Sequence, residues 1–127
     1  VDGLKKVNDQ YGHSFGDLLL QVVAERFRHA VRQEDFVARL AGDEFMVILQ
    51  DIGERSEIDY IAERLVASCR QPIRLGSNQA CVGVSIGVSF FPADADNVPA
   101  LMSCADQAMY RAKGAGGACY VCYGQGG

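Results

Sequence analysis

The sequence predicts an α+β fold in which helices cover a mainly antiparallel sheet. Apolar residues recur along the chain in the order helix, strand, strand, helix, strand, helix, strand. Residues 82–90 alternate large branched side chains with small ones, which is typical of a half-buried strand. A glycine and two carboxylates join two apolar runs at residues 42–44, which predicts a hairpin with an acidic turn.

Length and composition indicate one globular domain. The 127 residues are 49% hydrophobic and 22% charged, with a formal net charge of −4. This balance argues against a general nucleic-acid binder, which would present a basic face. No apolar run is long enough to cross a membrane, and no signal peptide is recognisable. We expect a piece of a longer protein that is cytoplasmic, or that forms the cytoplasmic part of a membrane-anchored one.

The cysteines favour reduced thiols over a disulfide framework or a metal site, because their number is odd and their spacing scattered. Cys119 and Cys122 form a C-x-x-C, but in a strand-like run, where positions three apart point to opposite faces. The two histidines, His13 and His29, are expected to be structural or exposed.

The first part of the chain predicts an irregular segment and then a long helix. Leu4 and Val7 favour a single helical turn within residues 1–16. The helix should open at Gly16–Asp17, with Asp17 as N-cap or first-turn residue, and stop near residues 32–34. Its apolar stripe, spaced by three to four residues, comprises Leu18, Leu19, Val22, Val23, Phe27, Ala30 and Val31.

The acidic turn lies between strands expected near residues 36–40 and 45–50. Gly42 permits a positive φ or a close approach to the backbone. Asp43 and Glu44 set two carboxylates side by side, which favours a cation nearby. By itself, the turn fits either a solvated acidic loop or one half of a metal and nucleotide site.

The remaining elements follow in order. Ser56 is expected to cap a second helix, which Pro72 ends. A short hairpin around residues 73–82 leads into the strand at 82–90, whose small face predicts a closely packed helix. A third helix is predicted at about residues 98–113. A last strand at residues 119–123 ends the domain, which we assign to residues 1–123, with residues 124–127 as a tail or linker.

Five stretches match one protein family in the right order and together cover nearly the whole chain. They resemble the GGDEF domain of diguanylate cyclases, with A-G-D-E-F as the form of the signature. The ending Tyr120–Tyr123 resembles the form that leads into a downstream EAL phosphodiesterase domain. The five stretches are residues 2–9, 11–17, 38–45, 84–88 and 105–113.

The resemblance implies a fold and a reaction. The fold is like that of nucleotidyl cyclases, a five-stranded sheet with a ferredoxin-like βααββαβ core, whose first strand would precede Val1. The reaction condenses two GTP into cyclic di-GMP and releases pyrophosphate. Each domain of a head-to-tail homodimer would hold one GTP, and a ribose 3′-hydroxyl would attack the α-phosphate of the partner's GTP with help from metal. Sensory and EAL domains are implied as flanking domains.

The resemblance also implies the site residues. Mg²⁺ or Mn²⁺ would be held by the Val1 carbonyl, by Asp43 and by a carboxylate before Val1, all of them hard oxygen ligands. Asp43 and Glu44 would be the catalytic residues, with Glu44 deprotonating or positioning the 3′-hydroxyl. The implied substrate-binding residues are Gly3, Leu4, Lys5, Asn8, Asp17, Gly42 and Lys113.

The implied substrate contacts also fit plainer structural roles. Asn8 and Asp17 correspond to guanine contacts, but on their own they fit a turn residue and a helix cap. Lys5 and Lys113 correspond to phosphate contacts, but they also fit solvated surface charges.

A second constellation, Arg32 and Asp35, matches the R-x-x-D inhibitory site of the family. There the product, cyclic di-GMP, binds and holds the domain in a non-productive arrangement. Arginine pairs bidentately with guanine or phosphate, and aspartate pairs with guanine. The alternative is a charge cluster at the end of a helix.

Two positions depart from the family pattern. Ala41 replaces the first glycine of the signature, at a cost of about 1 kcal/mol if that position needs a positive φ. Gly117 stands where the family usually has an arginine that contacts the triphosphate. Two functions therefore follow: an active diguanylate cyclase with product feedback, or a degenerate domain that binds GTP or cyclic di-GMP and regulates a neighbour, such as an EAL domain.

Overall fold

The computed structural model describes residues 1–125, in two compact units, Val1–Gly83 and a second that begins at Val84. Its helices are α1 (Leu4–Tyr11), α2 (His13–Ala30), α3 (Arg55–Arg70) and α4 (Val98–Gly114), with a short 3₁₀ helix at Tyr123–Gln125. Its strands are β1 (Phe36–Ala41), β2 (Glu44–Ile48), β3 (Ile73–Leu75), β4 (Asn78–Ala80), β5 (Ile86–Val88) and β6 (Tyr120–Cys122). Within residues 1–125, no helix is long and apolar enough to span a membrane.

The strands pair two by two. β1 pairs with β2 and β3 pairs with β4, both antiparallel, whereas β5 and β6 run parallel. The pairing is thus mainly antiparallel, as the sequence predicts. An isolated antiparallel bridge also joins Asp2 to Gly83, and this bridge fixes Asp2 just before α1.

Helix α2 forms the core of the first unit. It packs against α1, α3, β1 and β3. Phe27 of α2 meets Phe45 of β2 edge-on, with the ring centroids 5.3 Å apart, which holds the acidic hairpin against the helix. The largest fully buried side chains of this unit are Leu19, Val23, Cys69 and Ile73.

The structure corrects the predicted N-terminal elements. Residues 4–11 form a helix of 8 residues, where the sequence favoured one turn. Because Gly12 separates the two helices and α2 begins at His13, Asp17 lies in the second turn and is neither an N-cap nor a first-turn residue. Helix α2 ends at Ala30, before the predicted residues 32–34, because Val31 has an extended backbone.

The second predicted cap is also wrong. Helix α3 begins at Arg55, after Glu54, so Ser56 lies inside the helix. The Ser56 hydroxyl instead lies 3.4 Å from a carboxylate oxygen of Glu54. The predicted end is confirmed, since α3 stops at Arg70, just before Pro72.

In the second unit, α4 packs on the parallel strands β5 and β6. The predicted close approach is confirmed, because a Cβ atom at Gly87 would lie 1.8 Å from the Ala105 carbonyl oxygen. The strand predicted at residues 82–90 is shorter, because its ladder with β6 has only the pairs of Ile86–Val88. The last strand is likewise shorter than residues 119–123, and of the predicted tail, residues 126 and 127 lie outside the described part of the chain.

Candidate active site

Three of the predicted substrate-binding residues, Gly3, Leu4 and Lys5, lie at the start of α1. Asp2 exchanges backbone hydrogen bonds with Gly83, at 2.7 and 3.1 Å, which anchors the residues before the helix. Gly3 is the N-cap and Leu4 the first helical residue, so their N–H groups have no partner within the helix. Such N–H groups attract anions. The exposed Lys5 adds a positive charge to the same turn.

The acidic turn lies beside Val1. The Val1 nitrogen donates to the backbone carbonyl oxygen of Asp43 at 2.9 Å. Arg39 braces the turn, because its Nε donates to the Gly42 carbonyl oxygen at 2.7 Å. Asp43 is half-buried and Glu44 is exposed. The structure thus brings together Val1 and Asp43, the two residues of this chain in the implied metal site.

Gly42, and not Ala41, has the unusual backbone of this turn. The φ angle of Gly42 is +51°, in the left-handed region, and a Cβ atom there would meet nothing within 4 Å. Ala41 is the last residue of β1 and pairs with Glu44 across the hairpin. The strain considered for Ala41 therefore does not arise, because a strand residue has an extended backbone.

Asn8 lies where α1 and α2 touch. Among the side chains of residues 1–125, its Oδ1 is the one buried polar atom without a hydrogen-bond partner. A Cβ atom at Gly16 would lie 1.9 Å from that oxygen, so the lack of a side chain at Gly16 makes room for Asn8. Asp17 follows directly and is exposed. The two predicted guanine contacts therefore lie at one junction between two helices.

Lys113 is the one predicted substrate contact that belongs to the second unit. It is exposed in the last turn of α4. Gly117, in the turn that follows, offers no side chain where the family usually has an arginine.

Arg32 and Asp35 are bonded to each other. The Nε and Nη2 atoms of Arg32 donate to the two carboxylate oxygens of Asp35, both at 3.0 Å, and the Arg32 backbone N–H donates at 2.9 Å. The Gln50 backbone N–H donates to the same carboxylate at 3.2 Å, and Arg32 Nη2 donates to the Gln50 carbonyl oxygen. The Asp35 side chain is completely buried. We call this arrangement of Arg32, Asp35 and Gln50 the clasp.

Both charges of the clasp are stabilised. Burial by itself would raise the pKa of Asp35, but the hydrogen bonds from Arg32 and Gln50 outweigh it and hold that pKa below its usual value. The side-chain hydrogen bond to Asp35 raises the pKa of Arg32, and the charges of Asp35, Glu34 and Glu57 act in the same direction. The clasp is therefore an ion pair at neutral pH.

A groove of about 320 Å³ opens beside Arg32. Tyr60 and Arg64 of α3 line it, and neither was predicted from the sequence as a site residue. Arg64 donates to the Tyr60 hydroxyl at 3.4 Å and to the His29 carbonyl oxygen at 3.1 Å. Their four-residue spacing was the available signal, since it sets both side chains on one helix face. The groove is lined by Ala30, Val31, Arg32, Ser56, Glu57, Tyr60, Ile61 and Arg64.

The donor atoms of the chain limit which metal it could bind. Within residues 1–125, no group of three or more His, Cys, Asp or Glu side chains could hold a metal ion. Cys69, Cys81, Cys104 and Cys119 are free thiols, and burial raises the pKa of Cys69. Val1 and Asp43 are adjacent through the hydrogen bond from the Val1 nitrogen to the Asp43 backbone carbonyl oxygen. The Asp43 carboxylate and the Val1 carbonyl are hard oxygen ligands, the kind that suits Mg²⁺ or Mn²⁺.

Comparison with known proteins establishes the family. The model of the diguanylate cyclase GGDEF domain matches residues 1–119, and this chain therefore belongs to the GGDEF family. It is 45% identical over 122 residues to the bifunctional diguanylate cyclase/cyclic di-GMP phosphodiesterase MucR of Pseudomonas aeruginosa, covering 94% of this chain and 18% of MucR. It is 41% identical over 113 residues to the diguanylate cyclase TpbB of the same species, covering 88% of this chain and 26% of TpbB.

A solved structure confirms the predicted fold. An EAL/GGDEF domain protein from M. capsulatus matches with a TM-score of 0.91 at 39% identity, covering 97% of this chain and 79% of that one. The nucleotidyl-cyclase-like α+β fold is therefore correct. This chain spans well under half the length of the curated relatives MucR and TpbB.

Proposed function

We propose that this domain is a diguanylate cyclase, which joins two GTP molecules into cyclic di-GMP. The observation that carries the proposal is the 2.9 Å hydrogen bond from the Val1 nitrogen to the Asp43 carbonyl oxygen, which holds the acidic turn beside the segment leading into α1. Similarity to TpbB and MucR, both named for diguanylate cyclase activity, supports it.

The acidic turn would hold the metal and act on the reacting hydroxyl. The Asp43 carboxylate and the Val1 carbonyl would bind Mg²⁺ or Mn²⁺, together with the carboxylate expected before Val1. An ion held there would supply positive charge that offsets the charge developing on the phosphate. Glu44, adjacent and exposed, would orient the ribose 3′-hydroxyl or accept its proton.

The first turn of α1 would bind the phosphates. The N–H groups of Gly3 and Leu4 and the ammonium of Lys5 are its donors, and an ammonium suits phosphate as a mobile point charge. Asp17 would recognise guanine together with Asn8. A carboxylate at Asp17 can accept from the N1–H and 2-amino groups, an edge that adenine lacks.

Turnover would need two domains, because each domain would hold one GTP. The 3′-hydroxyl of each GTP would attack the α-phosphate of the GTP in the other domain. In each half-reaction the 3′-oxygen bonds to the α-phosphorus of the other GTP, and the bond to the β-phosphate breaks. Pyrophosphate leaves with the electron pair of that bond. We therefore propose a homodimer, in which Gly42 allows the nucleotide to lie against the backbone of the turn and Lys113 adds a phosphate contact.

We propose that the product binds at the groove beside Arg32. Cyclic di-GMP carries two phosphates and two guanines. The groove is lined by the guanidinium groups of Arg32 and Arg64 and by the ring of Tyr60. Arginine pairs with phosphate and stacks on planar bases. Because Arg32 already donates to both carboxylate oxygens of Asp35, a guanine could bind Asp35 only by displacing Arg32.

A second candidate function is a degenerate domain that binds GTP or cyclic di-GMP and regulates a neighbouring EAL domain. Gly117 favours it, because it removes one cationic contact of the family with the triphosphate. MucR is named as bifunctional, and the M. capsulatus relative is an EAL/GGDEF protein. In proteins of this kind, an EAL domain in the same chain would be available for a GGDEF domain to regulate.

A turnover assay separates the two functions. The full-length protein is incubated with GTP and Mg²⁺ at concentrations that form dimers, and cyclic di-GMP is quantified by chromatography. The enzyme proposal expects cyclic di-GMP that depends on Mg²⁺. Measurable GTP binding without any product would overturn it in favour of the regulatory module.

A further inference from the structure

Gly16 occupies a position that no other residue can fill without disturbing Asn8. A Cβ atom there would lie 1.9 Å from Asn8 Oδ1, 3.0 Å from Asn8 Cγ and 3.5 Å from a methyl group of Leu4. Gly16 is buried inside α2 and has an ordinary helical backbone, so the close approach of α1, and not a special φ, requires glycine.

This contact fixes which end of the Asn8 carboxamide faces a ligand. Its Oδ1 points at Gly16, is buried and receives no hydrogen bond. A carboxamide carries its oxygen and its NH₂ group on opposite sides of Cγ, and only the NH₂ group donates. With Oδ1 turned into the helix junction, the part of Asn8 left for a ligand is the Nδ2 donor.

We propose that Gly16 is a positioning residue that makes Asn8 a hydrogen-bond donor and so selects a purine with an acceptor at its 6-position. This inference rests on the proposed function, because it takes GTP as the nucleotide bound at Asn8. A donor complements the O6 of guanine and mismatches the 6-amino group of adenine. Asp17, directly after Gly16, would accept from the opposite part of the same base edge.

The inference predicts an effect confined to one atom of the base. A side chain at position 16 would force Asn8 out of its orientation, and GTP affinity should fall about tenfold, the scale of one net hydrogen bond. The affinity for 6-thio-GTP should hardly change, because its sulfur is a poor acceptor while its N1–H and 2-amino groups are intact. The unaltered protein should therefore prefer GTP to 6-thio-GTP, and Gly16→Ala should lose that preference.

The test measures the affinities of both nucleotides by calorimetry on the full-length protein, at concentrations too low for dimers. The variants are Gly16→Ala, Asn8→Ala and the double variant, with Gly53→Ala as control, since a Cβ atom at the exposed Gly53 meets only Glu57, at 3.5 Å. If Gly16 acts through Asn8, both single variants and the double variant bind GTP equally weakly. Gly53→Ala keeps the preference of the unaltered protein.

Three results would overturn the inference: tight GTP binding by Gly16→Ala, losses that multiply in the double variant, or an equal loss of 6-thio-GTP binding. If Gly16→Ala does not fold by circular dichroism, Asn8→Ala decides alone, because the inference then requires it to lose GTP affinity but not 6-thio-GTP affinity. An unaltered protein that binds no GTP would overturn the proposed function itself, an outcome distinct from these three.

Discussion

The Asp35 carboxylate is completely buried and receives two hydrogen bonds from the Arg32 guanidinium, both at 3.0 Å. The two residues that the family resemblance assigns to product binding are thus already hydrogen-bonded to each other within the domain. Glu34 and Glu57 also lie within 4.0 Å of the guanidinium. If cyclic di-GMP binds at Arg32 as we propose, it would have to compete with these carboxylates, so the clasp would weaken that binding.

The clasp makes stability depend on pH. The pKa of Asp35 is lower in the folded protein than in the unfolded chain, where it is about 3.9. Its ionisation therefore stabilises the fold above that unfolded value, and the contribution is lost as the pH falls through the folded pKa. We predict that Asp35→Asn costs about 1–3 kcal/mol near pH 7, and that the cost shrinks progressively below about pH 4.

Urea unfolding as a function of pH measures this effect. Asp106→Asn is the control, because Asp106 is an exposed residue of α4 and its loss should leave the free energy of unfolding almost unchanged. A destabilisation of Asp35→Asn that is equal at pH 7 and at low pH would show that the charge of Asp35 contributes nothing.

The groove predicts which arginines bind cyclic di-GMP. We expect Arg32→Ala and Arg64→Ala each to weaken binding about tenfold or more, because a charge-assisted hydrogen bond contributes roughly 1.5–3 kcal/mol. Arg70→Ala is the matched control, since Arg70 is exposed in the last turn of the same helix as Arg64 but does not line the groove. Calorimetry measures the affinities. Binding by Arg32→Ala that is as tight as that of the unaltered protein would exclude the R-x-x-D site.

The hairpin predicts opposite consequences for two neighbouring positions. Gly42→Ala should lower the free energy of unfolding by about 1 kcal/mol, because alanine is strained in the left-handed region although nothing there would clash. Ala41→Gly should relieve no strain, and it should destabilise the protein by about 0.5–1 kcal/mol, the usual cost of glycine in a strand. Chemical denaturation compares the two variants. A more stable Ala41→Gly would contradict the extended backbone at that position.

Features that depend on local residues could be predicted from the sequence. Features that depend on contacts with distant segments were predicted wrongly. The hairpin and the close helix at Gly87 follow from side-chain size and turn residues, and both are correct. The strand at residues 82–90 was predicted too long, because alternation shows which faces are buried but not how many residues a partner strand can pair. Aspartate is a common helix cap, but Asp17 does not cap α2. The helix starts earlier, at His13, because Gly12 already separates it from α1.

The candidate site shows the same division. The acidic signature could be recognised from its residues, whereas the hydrogen bond that joins Val1 to Asp43 connects positions 42 residues apart and has no local signal. The clasp has a similar origin. Arg32 and Asp35 are close in sequence, but Gln50, which completes the arrangement, comes from the segment after β2.

We predict different roles for the two carboxylates of the acidic turn, with Asp43 as metal ligand and Glu44 as general base. Asp43→Asn should abolish turnover and also the dependence of GTP binding on Mg²⁺, because an amide is a poorer ligand for a hard cation than a carboxylate. Glu44→Gln should keep Mg²⁺-dependent GTP binding but lower the rate of cyclic di-GMP formation by about 10²–10⁴-fold, the range for loss of a general base. Glu63→Gln, an exposed carboxylate of α3, is the control for both. GTP affinity with and without Mg²⁺, measured beside the rate of product formation, separates the two roles. If Glu44→Gln and Asp43→Asn lose Mg²⁺-dependent binding equally, the two residues act as a single metal site and Glu44 is not the base.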